Sequence, residues 1–444
     1  MPRKLITRSE PWRSAGSPTL AVAAIALALV TGSHPAFTAR QDVVQHPFSN
    51  YRTPSFTFAS LRTAAAASKA GGRAEHLLPL RVRSITPSPG SGSVRYMQAF
   101  QVRFSDPISA NSPMPRFAPP LPGGWSGTGT DILVFHPRGN SVPFSTERLI
   151  VPGGRHGIKA LDGAKLAATV KAKFTVAPGS RLRLEQLLAE LGYLPLRFVP
   201  TGSAGTPSRQ GAHLLVPQGS RGQATTARSS PLRVPKPGPT KVEGPTVADE
   251  IPLDPASGKF SWRFPHIPRS LAALWSKGQQ NVITTGAIMQ FEAAHGLPTD
   301  GNASAAVWRA LLHAFAHRRL NKAPYAYVYV SMSTPETLSL WVDGKVVFRT
   351  LCNTGIPASP TAIGTWPVYL RYVTTTMSGV NPNGTPYDDP GIPWVSYFNG
   401  GDALHGFLRS QYGFPQSLGC VEMPFASAGA IYPWTPIGTL VTIL

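Results

Sequence analysis

Forty-six prolines and 42 glycines spread through 444 residues leave little room for long helices, so strand-rich modules joined by turns and linkers are expected. The length implies about three domains, and a hydrophobic fraction of 42% can supply each with a core. The N-terminus breaks the pattern. Arg3, Lys4, Arg8 and Arg13 precede an unbroken apolar run over residues 20–30, which is short for a membrane span and has the form of an export signal. Ala36 and Ala39 offer small residues for cleavage, although Phe37 fits poorly there. Residues 1–39 are therefore expected to be a signal peptide or an uncleaved anchor. Residues 40–79, rich in Ala, Ser and Arg without periodicity, are expected to be a disordered tether.

The formal charge of +21 is unevenly placed. Residues 321–444 hold five Lys/Arg (Lys322, Lys345, Arg349, Arg371, Arg409) against six Asp/Glu (Glu336, Asp343, Asp388, Asp389, Asp402, Glu422), so the excess lies upstream. A basic outer part suits an anionic polymer or a membrane surface. Nucleic acid is excluded as a partner, because the sequence has no zinc-ligand spacing, no RNP-like aromatic run and no basic helix.

From residue 80 to 178 short alternating segments (94–104, 132–135, 148–151 and 171–176) are separated by Pro/Gly turns, the pattern of an immunoglobulin-like β-sandwich acting as a spacer. Residues 182–194 read as an amphipathic helix, with Leu184, Leu187, Leu188 and Leu191 on one face and Gly192 as the stop. Residues 201–256 lose periodicity and are expected to be a flexible insert. A second helical block follows: one helix begins with Thr284 as the cap and stops at Gly296, and another is capped by Ser304 and carries Val307, Trp308, Leu311 and Leu312. In Leu187-Leu188, Thr285, Ala287, Phe291, Gly296-Leu297, Asp300-Gly301, Trp308 and Leu311 the two blocks resemble the halves of a small three-helix peptidoglycan-binding domain, spanning 181–316 and split by the insert. The resemblance implies glycan strands as a ligand.

Beyond residue 324 strands return. Residues 325–330 and 337–342, the Asp343-Gly344 turn, and 345–348 read as successive strands, and residues 436–444 read as a turn and a closing strand. The decisive pattern is His405-Gly406 followed by Ser417-Leu418-Gly419-Cys420. A thiol becomes an acyl-transfer nucleophile when a base takes its proton and donors meet the oxyanion. His405 can be the base, forming a thiolate–imidazolium pair, and Gly419 lets the backbone turn tightly, leaving the amides of Leu418, Gly419 and Cys420 free for the oxyanion. No acidic residue stands beside His405 in sequence, so the Gly406 carbonyl is the expected orienter. Cys352 could pair with Cys420 in an exported protein, but a bridge would consume the nucleophile. Cys352 follows an alternating stretch over 345–351 and is expected to be a buried structural thiol.

Residues 324–444 resemble the L,D-transpeptidase (YkuD-type) catalytic domain in Asp343-Gly344-Lys345, Asn353-Thr354-Gly355, Pro360-Thr361, Gly364-Thr365, His405-Gly406, Ser417-x-Gly419-Cys420-Val421 and Gly438-Thr439. The resemblance implies a multidomain, mostly-β enzyme needing no metal or organic cofactor. Cys420 would be the nucleophile and His405 the base, with Ser417, Leu418, Gly419 and Gly406 supporting the oxyanion region. The reaction it implies acts on peptidoglycan stem peptides: acyl transfer from a tetrapeptide stem to a neighbouring amine, giving a 3→3 cross-link outside the cytoplasm. Hydrolysis of the thioester (an L,D-carboxypeptidase) and non-catalytic wall binding are the alternatives. Two departures stand out: Leu418 replaces the usual histidine, and Glu422 replaces an Arg or Asn, putting an anion where a substrate carboxylate would be recognised. Between residues 372 and 398 a long loop is expected to wall the substrate cleft, with Met377, Tyr387, Trp394 and Tyr397 as contacts and Asp388 and Asp389 facing an acceptor ammonium. Asp388-Asp389 lacks the neighbours a metal site needs.

Overall fold

The computed structural model describes residues 78–201, 246 and 248–444. The expected signal or anchor, nearly all of the tether and most of the insert lie outside the described residues. Among the described residues no helix is long and apolar enough to cross a membrane.

The first strand-rich segment forms two antiparallel sheets. One orders β1 (Val82–Thr86), β2 (Phe100–Phe104), β5 (Ile132–Pro137) and β4 (Gly123–Ser126); the other orders β3 (Arg116–Ala118), β6 (Thr146–Val151) and β7 (Val170–Thr175). Strand β2 shows why alternation suffices: Phe100, Val102 and Phe104 are buried while Gln101 and Arg103 face water. Phe100 meets Phe117 and Phe174 edge-on at 4.9 and 5.0 Å, so aromatic rings from both sheets close a sandwich core.

Helix α1 (Arg181–Glu190) starts at Ser180, whose side chain accepts from the Arg183 amide, and ends before Gly192. A hairpin of β8 (Leu196–Pro200) and β9 (Gly258–Trp262), the short α2 (Arg269–Ala272), α3 (Val282–Ala294) and α4 (Ala305–Ala316) complete this region. Its layout differs from the expected three-helix module: four helices and a two-stranded sheet occupy it. Asn281, not Thr284, caps α3, because the helix begins earlier and the Asn281 side chain accepts from the Thr284 amide. Ser304 caps α4. The end of the expected flexible insert is packed, with Ile251 and Leu253 in the core and the Asn140 side chain donating to the carbonyls of Asp249 and Ile251. An isoleucine and a leucine in an irregular stretch carry no periodic signal, so burial there is invisible in sequence.

The core of this region does not stop at its own boundary. Leu187, Phe291 and Trp308 share one apolar cluster with Tyr327, Trp341 and Leu440 of the following segment. The seam is tight at Gly286 in α3, where a Cβ would lie 2.6 Å from the Gly438 carbonyl oxygen, and a Cβ at Gly438 would lie 2.3 Å from that of Gly286. Glycine normally weakens a helix interior; here it lets a helix backbone touch the turn before the closing strand.

That segment holds two sheets. The first orders β12 (Lys345–Leu351), β11 (Thr337–Val342), β10 (Ala326–Ser331), β18 (Leu440–Ile443) and β13 (Gly364–Pro367); β18 runs parallel to β10 and is buried throughout. The second orders β14 (Leu370–Val380), β15 (Pro386–Asn399), β16 (Asp402–Gly406) and β17 (Val421–Met423). Val328, Leu340, Cys352, Leu404, Val421 and Val441 lie in one core between them, and helix α5 (Phe425–Ile431) contributes Ala428 and Ile431 to it. The long loop expected between residues 372 and 398 is instead a regular hairpin, β14 paired to β15 with a bulge near Thr375. The run of β-branched threonines and the alternating aromatics suit a ladder; prolines at 386, 390 and 393 hid it.

Candidate active site

Strands β16 and β17 are parallel neighbours, in a register that sets Leu404 beside Val421 and His405 beside Glu422. Cys420, one residue ahead of β17, is thereby set level with Ala403 at the start of β16, two positions before His405 along that strand. Cys420 and His405 line one cavity of about 750 Å³.

The loop before Cys420 is held by its carbonyls. Ser417 O accepts from the Ile356 amide (2.9 Å), Leu418 O from the Ser359 hydroxyl (3.0 Å), Gly419 O from the Thr361 hydroxyl (2.8 Å), and Cys420 O from the Ser417 hydroxyl (2.6 Å). With all four oxygens turned into protein, the opposite edge of the loop presents N–H groups. Among the described residues the Leu418 and Cys420 amides have no acceptor. The Gly419 amide is not free as expected; it donates to Ser417 Oγ at 3.2 Å. Gly419 adopts φ +117°, and a Cβ there would sit 2.5 Å from Asp402 Oδ1, so backbone angle and packing both demand glycine.

The partners of that loop are fixed in turn by Glu336, which is fully buried and accepts from both the Thr354 amide (2.6 Å) and the Thr354 hydroxyl (2.7 Å). The Asn353-Thr354-Gly355 and Pro360-Thr361 segments therefore carry the nucleophile loop. Glu336 gave no signal in sequence, because its role is set by residues far along the chain. Cys352 is buried in the core and unbridged, and burial pushes its thiol above the usual range.

His405 is 3% exposed, and its Nδ1 lies 3.0 Å from the Gly406 carbonyl oxygen, which assigns the proton to Nδ1 and leaves Nε2 as an acceptor. Burial lowers the imidazole's affinity for a proton; the Gly406 hydrogen bond and the Glu422 charge oppose this in part. Burial also pushes the Cys420 thiol up to about 12, and the charges of Asp402 and Glu422 add to the rise. The thiol is half-buried and donates to the Gly401 carbonyl at 3.6 Å. The expected thiolate–imidazolium pair is thus disfavoured at rest: desolvation drives both groups to their neutral forms.

Of the expected wall contacts, Met377, Tyr387 and Tyr397 line the cavity, as do Leu418 of the nucleophile loop and Glu422. Trp394 does not. It packs in the core against Tyr432, with ring centroids 5.5 Å apart. Asp389 lines the cavity, whereas its neighbour Asp388 is exposed and alternates to the other face of β15. Glu422 is not the free anion its sequence position implied: both its oxygens accept from Arg409, Nε to Oε2 and Nη2 to Oε1, each at 2.7 Å. Arg409 also lies over the Phe407 ring, 4.5 Å from its centroid. Arg409 and Asp402 both line the cavity and neither was singled out by sequence. Among the described residues no group of His, Cys, Asp and Glu could hold a metal ion.

Residues 325–443 match the YkuD family model, the L,D-transpeptidase catalytic domain. No curated protein matches the chain. Similar solved structures include the NMR structure of the catalytic domain from the E. faecium L,D-transpeptidase, 24% identical over 28% of this chain and 100% of that one, with a TM-score of 0.25. An L,D-transpeptidase from Mycobacterium smegmatis is 11% identical over 83% of this chain and 100% of its own, with a TM-score of 0.25. L,D-transpeptidase 3 from Mycobacterium tuberculosis, in complex with a faropenem-derived adduct, is 11% identical over 82% and 97%, with a TM-score of 0.25.

Proposed function

We propose that this chain is a peptidoglycan L,D-transpeptidase that forms 3→3 cross-links through a Cys420 acyl-enzyme. The observation that carries the reading is the convergence of Cys420, His405 and a donor-presenting nucleophile loop in one cavity, within a segment matching the L,D-transpeptidase catalytic domain.

In this reading Cys420 Sγ attacks the carbonyl carbon of the third residue of a tetrapeptide stem. As the C–S bond forms, the thiol proton passes to His405 Nε2, while Nδ1–H stays on the Gly406 carbonyl. The developing oxyanion meets the unclaimed Cys420 amide. Collapse breaks the C–N bond to the terminal D-Ala, whose nitrogen takes the proton from His405. An amine of a neighbouring stem then attacks the thioester, and its proton returns through His405 to the departing sulfur. Met377, Tyr387 and Tyr397 offer an apolar and aromatic wall to the stem, and Arg409, neutralising Glu422, removes the charge conflict that Glu422 alone would create. The upstream regions are read as an immunoglobulin-like spacer and a peptidoglycan-binding region that engages glycan strands, in an extracytoplasmic protein whose basic excess favours anionic wall polymers.

Incubation of the full chain with disaccharide-tetrapeptide is expected to give a cross-linked dimer that has lost one D-Ala, resolved by mass spectrometry. Tripeptide alone would make the chain an L,D-carboxypeptidase, and unchanged substrate would make it a wall-binding protein.

A further inference from the structure

The cavity holds a charge that the acyl-transfer scheme does not use. Asp402 opens β16, next to Gly401, whose carbonyl accepts the Cys420 thiol, and its Oδ1 lies against Gly419. Oδ2 takes two long hydrogen bonds, 3.4 Å each, from the Ala362 amide and the Asn399 side chain. Among the described residues Oδ1 has no donor and the carboxylate no cation, since Arg409 is spent on Glu422. Asp389 also lines the cavity, but it stands opposite Met377 in the hairpin ladder, not beside the nucleophile loop.

An anion in this place hinders the first half-reaction, because its charge adds to the forces holding the proton on Cys420. Burial also holds the Asp402 carboxyl above the ordinary carboxylate range, so the position costs stability as well. A neutral asparagine would make the same two accepting contacts. A charge kept against both penalties points to a cation that arrives later, and the second half-reaction brings one: a primary amine, which is an ammonium ion at neutral pH.

Resting on the transpeptidase reading, we infer that Asp402 is the specificity residue for the acceptor, its carboxylate receiving the acceptor's ammonium group beside the Cys420 thioester. One ammonium proton leaves to water. The freed amine attacks, the C–N bond forms as the C–S bond breaks, and the second proton passes through His405 to sulfur. The contact selects amine over water at the step that separates cross-linking from hydrolysis.

The test compares wild type with Asp402→Asn, using a tetrapeptide donor and two acceptor probes: n-butylamine, cationic at neutral pH, and hydroxylamine, largely uncharged there. The variant should raise the KM for butylamine about tenfold, the scale of one charge-assisted contact. Acylation by a carbapenem should be as fast as in wild type or faster, because the charge that opposes loss of the Cys420 proton is gone, and transfer to hydroxylamine should persist, so the ratio of butylamine product to hydrolysed tripeptide falls. In wild type, added salt should raise the KM for butylamine and not for hydroxylamine, a readout independent of the variant's folding. Equal losses with both acceptors would make Asp402 a loop-positioning group and overturn its acceptor role, as would an unchanged butylamine KM. Failure of wild type to form any acyl-enzyme would instead overturn the transpeptidase reading itself.

Discussion

Replacing His405 with alanine is expected to slow acylation of Cys420 by about 10²–10⁴-fold at neutral pH, the usual contribution of a positioned general base. The reason lies in the pair's electrostatics. A thiol pushed up to about 12 supplies almost no thiolate at neutral pH, so acylation depends on a base acting during attack. His405 is poised for that, because burial holds its pKa below the ordinary histidine value and keeps Nε2 unprotonated. The sign follows: the base works when neutral, so the wild-type rate should rise with pH through the lowered histidine pKa and stay flat across neutral pH. In His405→Ala that plateau should vanish and the rate climb about tenfold per pH unit toward the thiol pKa. A resting thiolate–imidazolium pair would behave differently, losing rate on the alkaline side as the imidazolium deprotonates. Stopped-flow acylation by a carbapenem across pH distinguishes the two.

The second large effect is expected at Arg409. Arg409→Ala leaves Glu422, which is 4% exposed, as an unpaired buried anion. Breaking a buried pair costs about 3–5 kcal/mol, and the low end of that range is expected because the Arg409 side chain is partly exposed. Adding Glu422→Gln should restore most of the loss, since the lone charge is then gone; chemical denaturation of the two variants measures both steps. The single variant should also carry its acid limb to higher pH, because the Glu422 charge favours the protonated imidazole and Arg409 opposes it.

The candidate site residues were legible because each belongs to a pattern that is short-range in sequence. His405-Gly406, with the orienting carbonyl on the very next residue, and Ser417-x-Gly-Cys, with its turn and internal hydrogen bonds, are local patterns. So were the caps and turns: Ser304 and the Asp343-Gly344 hairpin sit where turn chemistry puts them. What the sequence hid was long-range pairing. The Arg409–Glu422 bridge spans a crossover between parallel strands, and Glu336 reaches Thr354 from the far side of a hairpin, so neither pair shares a periodic signal. The shared core between α3, α4 and the β10–β11–β18 sheet was hidden for the same reason. Trp394 is the converse case: its place among cleft-wall aromatics predicts a contact, yet its position in β15 turns it to the core beside Tyr432.

The central claim is that Cys420, and not Cys352, is the acylated nucleophile. Intact-mass spectrometry after incubation with a carbapenem, which acylates the nucleophilic cysteine of L,D-transpeptidases, tests it most directly. Wild type and Cys352→Ala should each gain one adduct, mapped by peptide digestion to Cys420, and Cys420→Ala should gain none. An equal adduct on Cys420→Ala, or no adduct on the folded wild type, would contradict the account.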